Sequence, residues 1–501
     1  MRILAGVLGC VLAVQSWGAE APHSLGAEEK LGTISVPEGF TVELAATPGL
    51  SEYPMFMAFD PKGRLFIAES SGVDRTAAEQ IAKPDFMILR LEDSNQDGVF
   101  DTRTVFAEDL SFPMGVLWHQ DALYVASPPE FLRFTDSNGD GVADTREVLL
   151  SGWIMRNTAS LHGPYLGRDG WLYLTHGRHG YSVETKEGAL LEGMAARIWR
   201  CRPDGSQLER MAGGGFDNPI ELIFTDAGEP IGTMTYFTDP RDGQRDGLMH
   251  WVEGGAYPKP HEVTSELVRT GELMPTMTKF SRIAPSGIER YQGTAFGPEY
   301  SGNLFSAHFN AGRVQRHVLF RDGATYRTED SDFLTSADSG FHPTDVLEDA
   351  DGSLLVSDTG AWYVDACPLS RVARPEIRGG IYRIRRVAEE TAEAPLPQAD
   401  PWGRELRMET LDPEALSGLL DDSRLRVREH AVELLVAKGA ASVPALEAVL
   451  AAEVPDRARI AAVWSLGRIG TPEAQALVRG ALGDPHPDAR IAAARLAGLA
   501  R

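Results

Sequence analysis

Two acidic loops and a scattered set of histidines are the parts of this sequence whose residue types and spacing could do chemistry. The loop Asp136–Glu147 (DSNGDGVADTRE) puts side-chain oxygens at loop positions 1, 3, 5, 9 and 12: Asp136, Asn138, Asp140, Asp144 and Glu147. Gly141 at position 6 allows the sharp turn, and the Val142 carbonyl supplies position 7. This is the spacing of an EF-hand-type calcium loop, and calcium needs six to eight hard oxygens at about 2.3–2.6 Å. A second copy starts at Asp93 (DSNQDGVFDTRT): Asp93, Asn95, Asp97, the Val99 carbonyl and Asp101 match, while Thr104 replaces the bidentate Glu, so a weaker site is expected. Both loops lie between β-like runs, ILRLE and TVFAE, FLRFT and EVLLS. They are expected at hairpin tips, with a structural rather than catalytic ion; without metal the same residues would form Asx turns.

The histidines are the second candidate. His162, His176, His308 and His342 each fall beside the start or end of the innermost strand in a repeated β unit, with Asn218, Asp345 and Asp358 at related places. Histidines and carboxylates gathered at one point could act as a general base or bind a metal. Singly, each is more commonly a hydrogen-bonded structural residue. His179, His250, His261 and His317 have no such positional support.

The elements that must position these residues follow from repetition. A polar turn followed by an apolar run recurs as DPKGRLFIAES, HQDALYVAS, GRDGWLYLTHG, TDAGEPIGTMT, PEYSGNLFSAH and DADGSLLVSD, from Asp60 to Asp358. Each interval has room for a four-stranded sheet. Repeats of this size without helical periodicity predict a mainly β fold, a six-bladed β-propeller over residues 30–387. GGIYRIRR (Gly379–Arg386) is expected to pair with GFTVELAAT (Gly39–Thr47) and close the ring. Residues 388–405 read as an Ala/Pro/Glu-rich linker. From residue 406 to 501, Arg428, Arg459 and Arg490 recur at equal spacing within helical patterns, which predicts an α-helical solenoid of HEAT type that stops inside a repeat.

Composition narrows the function. A formal charge of -24, from 72 acidic against 48 basic residues, argues against nucleic-acid binding and suits cations or neutral sugars. Residues 1–19 read as a signal peptide, so an exported, periplasmic or extracellular protein is expected. No later segment is read as a membrane span. Cys201 and Cys367 remain after export and are compatible with a disulfide or with two buried thiols. No Cys-x-x-Cys-His occurs, so no haem site lies within this chain.

Ile283–Val314 (IAPSGIERYQGTAFGPEYSGNLFSAHFNAGRV) and Phe341–Asp358 (FHPTDVLEDADGSLLVSD) resemble segments of the soluble glucose/sorbosone dehydrogenases, six-bladed calcium-containing propellers that use pyrroloquinoline quinone (PQQ). The resemblance puts the catalytic base on His162, in LHGPYLGRDGWLYLTHG, and cofactor contact on Asn218, in DNPIEL. The order of motifs, from signal through propeller to HEAT repeats, is similar to an exported "membrane-bound dehydrogenase" family of planctomycetes and verrucomicrobia, many of which continue into a cytochrome c domain. It implies oxidation of a sugar or alcohol, with electrons passed to a cytochrome partner through or beyond the repeats. His342, Asp345, His176 and His308 complete the candidate cofactor shell. The sequence departs from the pattern at Asp217, Asn310 and the His342–Thr344–Asp345 group, where the quinone enzymes carry Arg, Lys and an Arg-x-Arg-Asp cluster. A tricarboxylate needs cations, so two further readings stay open: a non-redox calcium-stabilised scaffold for carbohydrate or protein, and a metal-dependent hydrolase or lyase at the channel.

Overall fold

Every repeated turn is the hairpin between the first and second strands of a blade. The computed structural model describes residues 26–157, 159–236, 245–363, 373–387 and 399–499; the expected signal peptide and Cys367 lie outside them. Among the described residues the first strands are Pro54–Phe59, Val116–His119, Leu161–Leu166, Asn218–Phe224, Pro285–Arg290 and Pro343–Glu348, and each opens an antiparallel sheet of four strands or more. The six sheets form a six-bladed propeller. The sixth blade takes its outer strand from the start of the chain: Phe40–Leu44 pairs with Gly380–Arg386, Phe40 opposite Arg386 and Leu44 opposite Tyr382. The join therefore leaves no free edge.

The innermost strands are not the apolar runs that recur in the sequence. Those runs, such as Leu172–His176 and Leu304–His308, are the second strands. The true first strands precede the turns and are harder to read, because five of the six carry an irregularity near their start: between Pro54 and Phe56, His162 and Tyr165, Pro219 and Leu222, Pro285 and Ile288, and Pro343 and Asp345. A bulge inserts a residue and breaks the period-two alternation on which strand recognition depends.

Facing blades bury apolar side chains between them. Phe66 and Ile88 of blade 1 meet Leu123 and Leu132 of blade 2, all fully buried. The same cluster runs to the axis, where Met55, Met114, Met155, Ile220 and Trp362 gather. Each such side chain contributes roughly 1.5–3 kcal/mol by leaving water.

The C-terminal part forms HEAT repeats: paired helices that include Leu425–Lys438, Asp456–Ile469 and Pro487–Leu499. The equally spaced arginines have one structural task. Arg428 donates to the Asp422 and Ser423 carbonyls, Arg459 to Leu450 and Ala452, and Arg490 to Asp484 and Pro485, capping the preceding segment each time. Residues Leu425–Ala451 are long and apolar enough to match a membrane span by length and composition. They are divided into two helices around Gly439, however, and bury Val427, Ala431, Leu435 and Leu446 in the repeat core.

The repeats dock on the turn end of the propeller and touch every blade there. Arg404 donates to the Lys62 carbonyl at 2.5 Å, Glu433 faces His119, and Arg468 lies against Gly170. Trp464 Nε1 donates to Asp226 O at 2.9 Å and its ring covers Gly228, whose positive φ leaves no room for a Cβ. Arg428 reaches Gln292 O at 3.3 Å and Arg426 reaches Glu348 O at 2.5 Å.

Candidate active site at the propeller mouth

With the turn end closed by helices, the candidate site lies at the other end, where first strands begin and second strands finish. His162 is the second residue of the blade 3 first strand and pairs with Thr175, so both side chains lie on one face of that sheet. The Thr175 hydroxyl donates to Pro219 O at 2.8 Å or to Ile220 O at 2.9 Å, which fixes this face against blade 4. His162 is thus packed beside the Asn218-Pro219 entrance of the next blade, and it is fully buried. Asn218 is also buried, and its Oδ1 has no hydrogen-bond partner among the described residues.

His176 faces the opposite side of the same sheet, edge-on to Tyr181 with ring centroids 5.9 Å apart. Burial, with His179, His162 and Arg197 nearby, holds it down at about 3, so it is neutral at pH 7. His162 and His176 therefore do not share a pocket. His308 is committed inside blade 5: its Nε2 meets the Ser306 hydroxyl at 2.9 Å and its Nδ1 accepts from Arg313 at 3.2 Å. Ser306 bridges onward to His317, which pairs with Asp330 at 2.8 Å. His342 lies at the blade 6 entrance against Phe309 and is kept neutral by burial.

The positional equivalence of these residues is real, but part of it is structural. The last residue of the second strand fastens the incoming first strand in several blades: Glu69 accepts from Glu52 and Tyr53 N–H, Ser127 from Phe112 N–H, and Asp358 from His342 N–H. His176 and His308 occupy that same position. Asp345 is not in the mouth shell either. It accepts from Met57 and Val346 N–H and lies beside Glu221 across Gly287, where a Cβ would strike both carboxyls. Burial raises both, Asp345 to about 7. Among the described residues no three His, Cys, Asp or Glu side chains form a group that could hold a metal ion. The histidine cluster expected from the sequence is thus replaced by separate contacts.

The acidic loops are hairpin tips, and their carboxylates turn to nearby N–H groups. Asp136 accepts from Gly139 and Gly141, Asp144 from Ser137 and Asn138, and Asp140 from Val142. In the earlier copy, Asp93 accepts from Asp97 and Gly98, Asp97 from Val99, and Asp101 from Ser94, while the Asn95 oxygen accepts from Asp97 N–H. Asn138 likewise accepts from Asp140 N–H. Glu147 stands apart on its strand, 3.7 Å from Arg133 and 3.8 Å from Lys186.

What the sequence reading missed is a cationic group beside Asn218. Asp217 is met by Arg178 at 2.7 Å and by the Lys259 ammonium. His261 lies close enough for Arg178 and Lys259 to oppose its protonation, and His179 is held at about 4 by burial, Arg156 and Arg178. The signals were present in THGRHG and YPKPHE, but only the fold brings blade 3 and the long blade 4 connection to one carboxylate. Cys201, by contrast, is buried and has no disulfide partner among the described residues, and desolvation pushes its thiol up to about 12. A cleft of about 700 Å³ opens at the turn end instead, lined by Asp226, Arg290, Arg321 and Asp488, far from these groups and with its charges largely paired.

Comparison with known proteins adds the following. The chain is 22% identical to an uncharacterised protein of Borreliella burgdorferi over 378 residues, 67% of this chain and 90% of that one. In structure it is similar to an oxidoreductase (glucose dehydrogenase) of Thermus thermophilus, at 20% identity and a TM-score of 0.48, covering 69% of this chain and 100% of the other. It is also similar to the PQQ domain of pyranose dehydrogenase from Coprinopsis cinerea, at 15% identity and a TM-score of 0.48, covering 70% and 97%. Residues 413–498 match HEAT repeats, and residues 26–387 match a family model that spans the propeller from the first described residue to its closing strand. The chain belongs to the family described as Domain of unknown function (DUF7133).

Proposed function

We propose that the protein is an exported oxidoreductase that oxidises a sugar or alcohol with PQQ at the open mouth and passes electrons to a cytochrome partner, as its resemblance to the exported membrane-bound dehydrogenases implies. The observation that carries this reading is that Asp217, next to Asn218 at the blade 4 entrance, is met by both Arg178 and Lys259, on the side of blade 3 to which Thr175, the pairing partner of His162, is bonded. The loss of an arginine at position 217 argued against an anionic cofactor. The cations gathered there supply the charge that a polycarboxylate needs, so the residues present fit the group.

When bound, PQQ supplies the two-electron acceptor that no amino-acid side chain provides. The chain's own part is positioning and proton handling. Asn218, with an unspent amide oxygen, orients a ligand group at the blade 4 entrance. His162, whose backbone pairs with the Thr175 that latches onto blade 4, would take the proton of the substrate hydroxyl at an imidazole nitrogen once its buried ring is opened to the mouth. His176 stays neutral behind it and adds no opposing positive charge at neutral pH. The apolar group of Met55, Met114 and Met155 keeps water from the axis below.

Calcium belongs to this reading as a structural ion at the hairpin tips Asp136–Asp144 and Asp93–Asp101, whose hard oxygens would have to leave the N–H groups they now accept from and turn together to hold it. The HEAT repeats close the turn end and present their outer surface to a protein partner. The test is dye-linked oxidation of a panel of aldoses and alcohols by the full chain with PQQ and calcium added. Turnover that requires PQQ supports the reading; no turnover on any sugar or alcohol, with the protein folded, rejects it.

A further inference from the structure

The group around Asp217 is more than an ion pair. One carboxylate faces both Arg178 and Lys259. A structural pair needs one cation per carboxylate. Here one carboxylate is met by two cations, in a chain whose overall charge is -24. Arg178 is also held in place by its backbone: its N–H donates to Asp217 O at 3.1 Å, and Gly177 N–H donates to Ser160 O at 3.0 Å. Gly177 is pressed so closely that a Cβ would lie 2.3 Å from Ala159 O and 2.5 Å from Asp217 O. The guanidinium is therefore pre-placed at the mouth rather than free to sample solvent. Lys259 is fastened as well, donating to Tyr236 O at 3.4 Å.

The second observation comes from the neighbouring residue. Asn218 is 3% exposed and its Oδ1 meets no donor among the described residues. A buried amide oxygen without a partner is costly, and such groups mark places completed by something not in the chain. The amide can also present its NH₂ to an acceptor after a flip.

We propose that Arg178 and Lys259 form an anion anchor that holds the carboxylates of a polycarboxylate ligand, with Asp217 as the group that positions them. Resting on the reading above, that ligand is the quinone cofactor, and the anchor replaces the arginine missing at position 217. Charge enters from the blade 3 turn and the blade 4 connection instead of from the first strand itself. Arg178 donates to a ligand carboxylate in the forked geometry suited to it, and Lys259 adds a point charge.

The test is an equilibrium titration of the full chain with PQQ, read by quenching of intrinsic fluorescence, for wild type, Arg178→Gln, Arg178→Lys, Lys259→Met and Asp217→Asn. Circular dichroism confirms that each variant is folded. In the expected result Arg178→Gln and Lys259→Met each weaken binding at least tenfold, Arg178→Lys recovers part of the loss, and Asp217→Asn, which releases both cations from their positioning carboxylate, also weakens it. Binding of wild type should also weaken as salt is raised. Wild-type binding unchanged in Arg178→Gln and Lys259→Met overturns the anchor and leaves the quinone reading standing. No PQQ binding, with citrate raising the melting temperature of wild type but not of Arg178→Gln, removes the quinone reading and keeps the anchor. If neither PQQ nor citrate binds, both fall. Should Arg178→Gln fail to fold, Lys259→Met with Asp217→Asn decides the question alone.

Discussion

Replacing Glu348 by Gln should make the protein more stable as pH rises, by an amount the structure sets. Glu348 ends the blade 6 first strand and is 1% exposed. Its Oε2 accepts from Gln292 N–H at 2.6 Å, while Oε1 is buried without a partner. Burial pushes the carboxyl up to about 8, and Glu289 beside it works in the same direction against Arg426. The folded chain therefore keeps a proton that the unfolded chain releases near the ordinary carboxyl value. Stability from this group is present at low pH and is lost as pH rises from that value to about 8. Each pH unit in the window costs about 1.4 kcal/mol, or roughly 3 kcal/mol between pH 5 and 7. Gln keeps the acceptor for Gln292 and has no proton to lose. Calorimetry of the two full-length proteins at pH 5, 6, 7 and 8 should show nearly equal melting temperatures at pH 5. The gap should then widen in favour of the variant by about 1–2 °C per pH unit. Parallel curves would refute the reasoning, since Glu348 would then be ionised and paired with Arg426 throughout.

Three other outcomes are expected. Trp464→Ala removes a buried ring and its bond to Asp226 O, so it should cost about 3–5 kcal/mol at the docking face and split one calorimetric transition into separate propeller and helical steps. Lys30→Met leaves Asp358 buried without its cation and strands the Gly340 and Arg378 carbonyls, which should cost about 3–5 kcal/mol in chemical denaturation. Calcium at a hundred times its dissociation constant should add about 2.7 kcal/mol of stability, and Asp136→Ala should remove most of that gain in a melting assay with and without chelator.

The blades were legible because their turns are written locally. Asp60, Asp121, Asp169, Asp226 and Asp349 fall in or beside the hairpin turns that connect first and second strands, so one motif reports on five of the six blades, and Ser301-Gly302-Asn303 marks the turn of the other. The closing pair of Phe40–Leu44 with Gly380–Arg386 was legible for a similar reason, as two alternating runs at opposite ends of one repeat region. The first strands were not, because bulges at His162–Tyr165 and Pro219–Leu222 break their alternation. The histidines were read as one set by position, yet position in a blade does not decide which face a side chain takes. His162 and His176 are neighbours on opposite faces, and His308 is absorbed by Ser306 and Arg313. The Arg178–Asp217–Lys259 group was invisible for the opposite reason. Its members are distant in sequence, and only the meeting of two blades makes them one feature. The arginines of the repeats show a middle case: their period revealed the solenoid, while their task, capping carbonyls, needed the helices themselves.

The most direct test of the central claim is to load the full chain with PQQ, add an aldose without any dye, and follow the absorbance of the bound quinone. The account predicts that substrate alone reduces the cofactor within one turnover, and that His162→Ala slows this step at least a hundredfold while PQQ still binds. A loaded wild-type protein whose spectrum no sugar or alcohol changes, or a His162→Ala variant that reduces the cofactor at the wild-type rate, would contradict it.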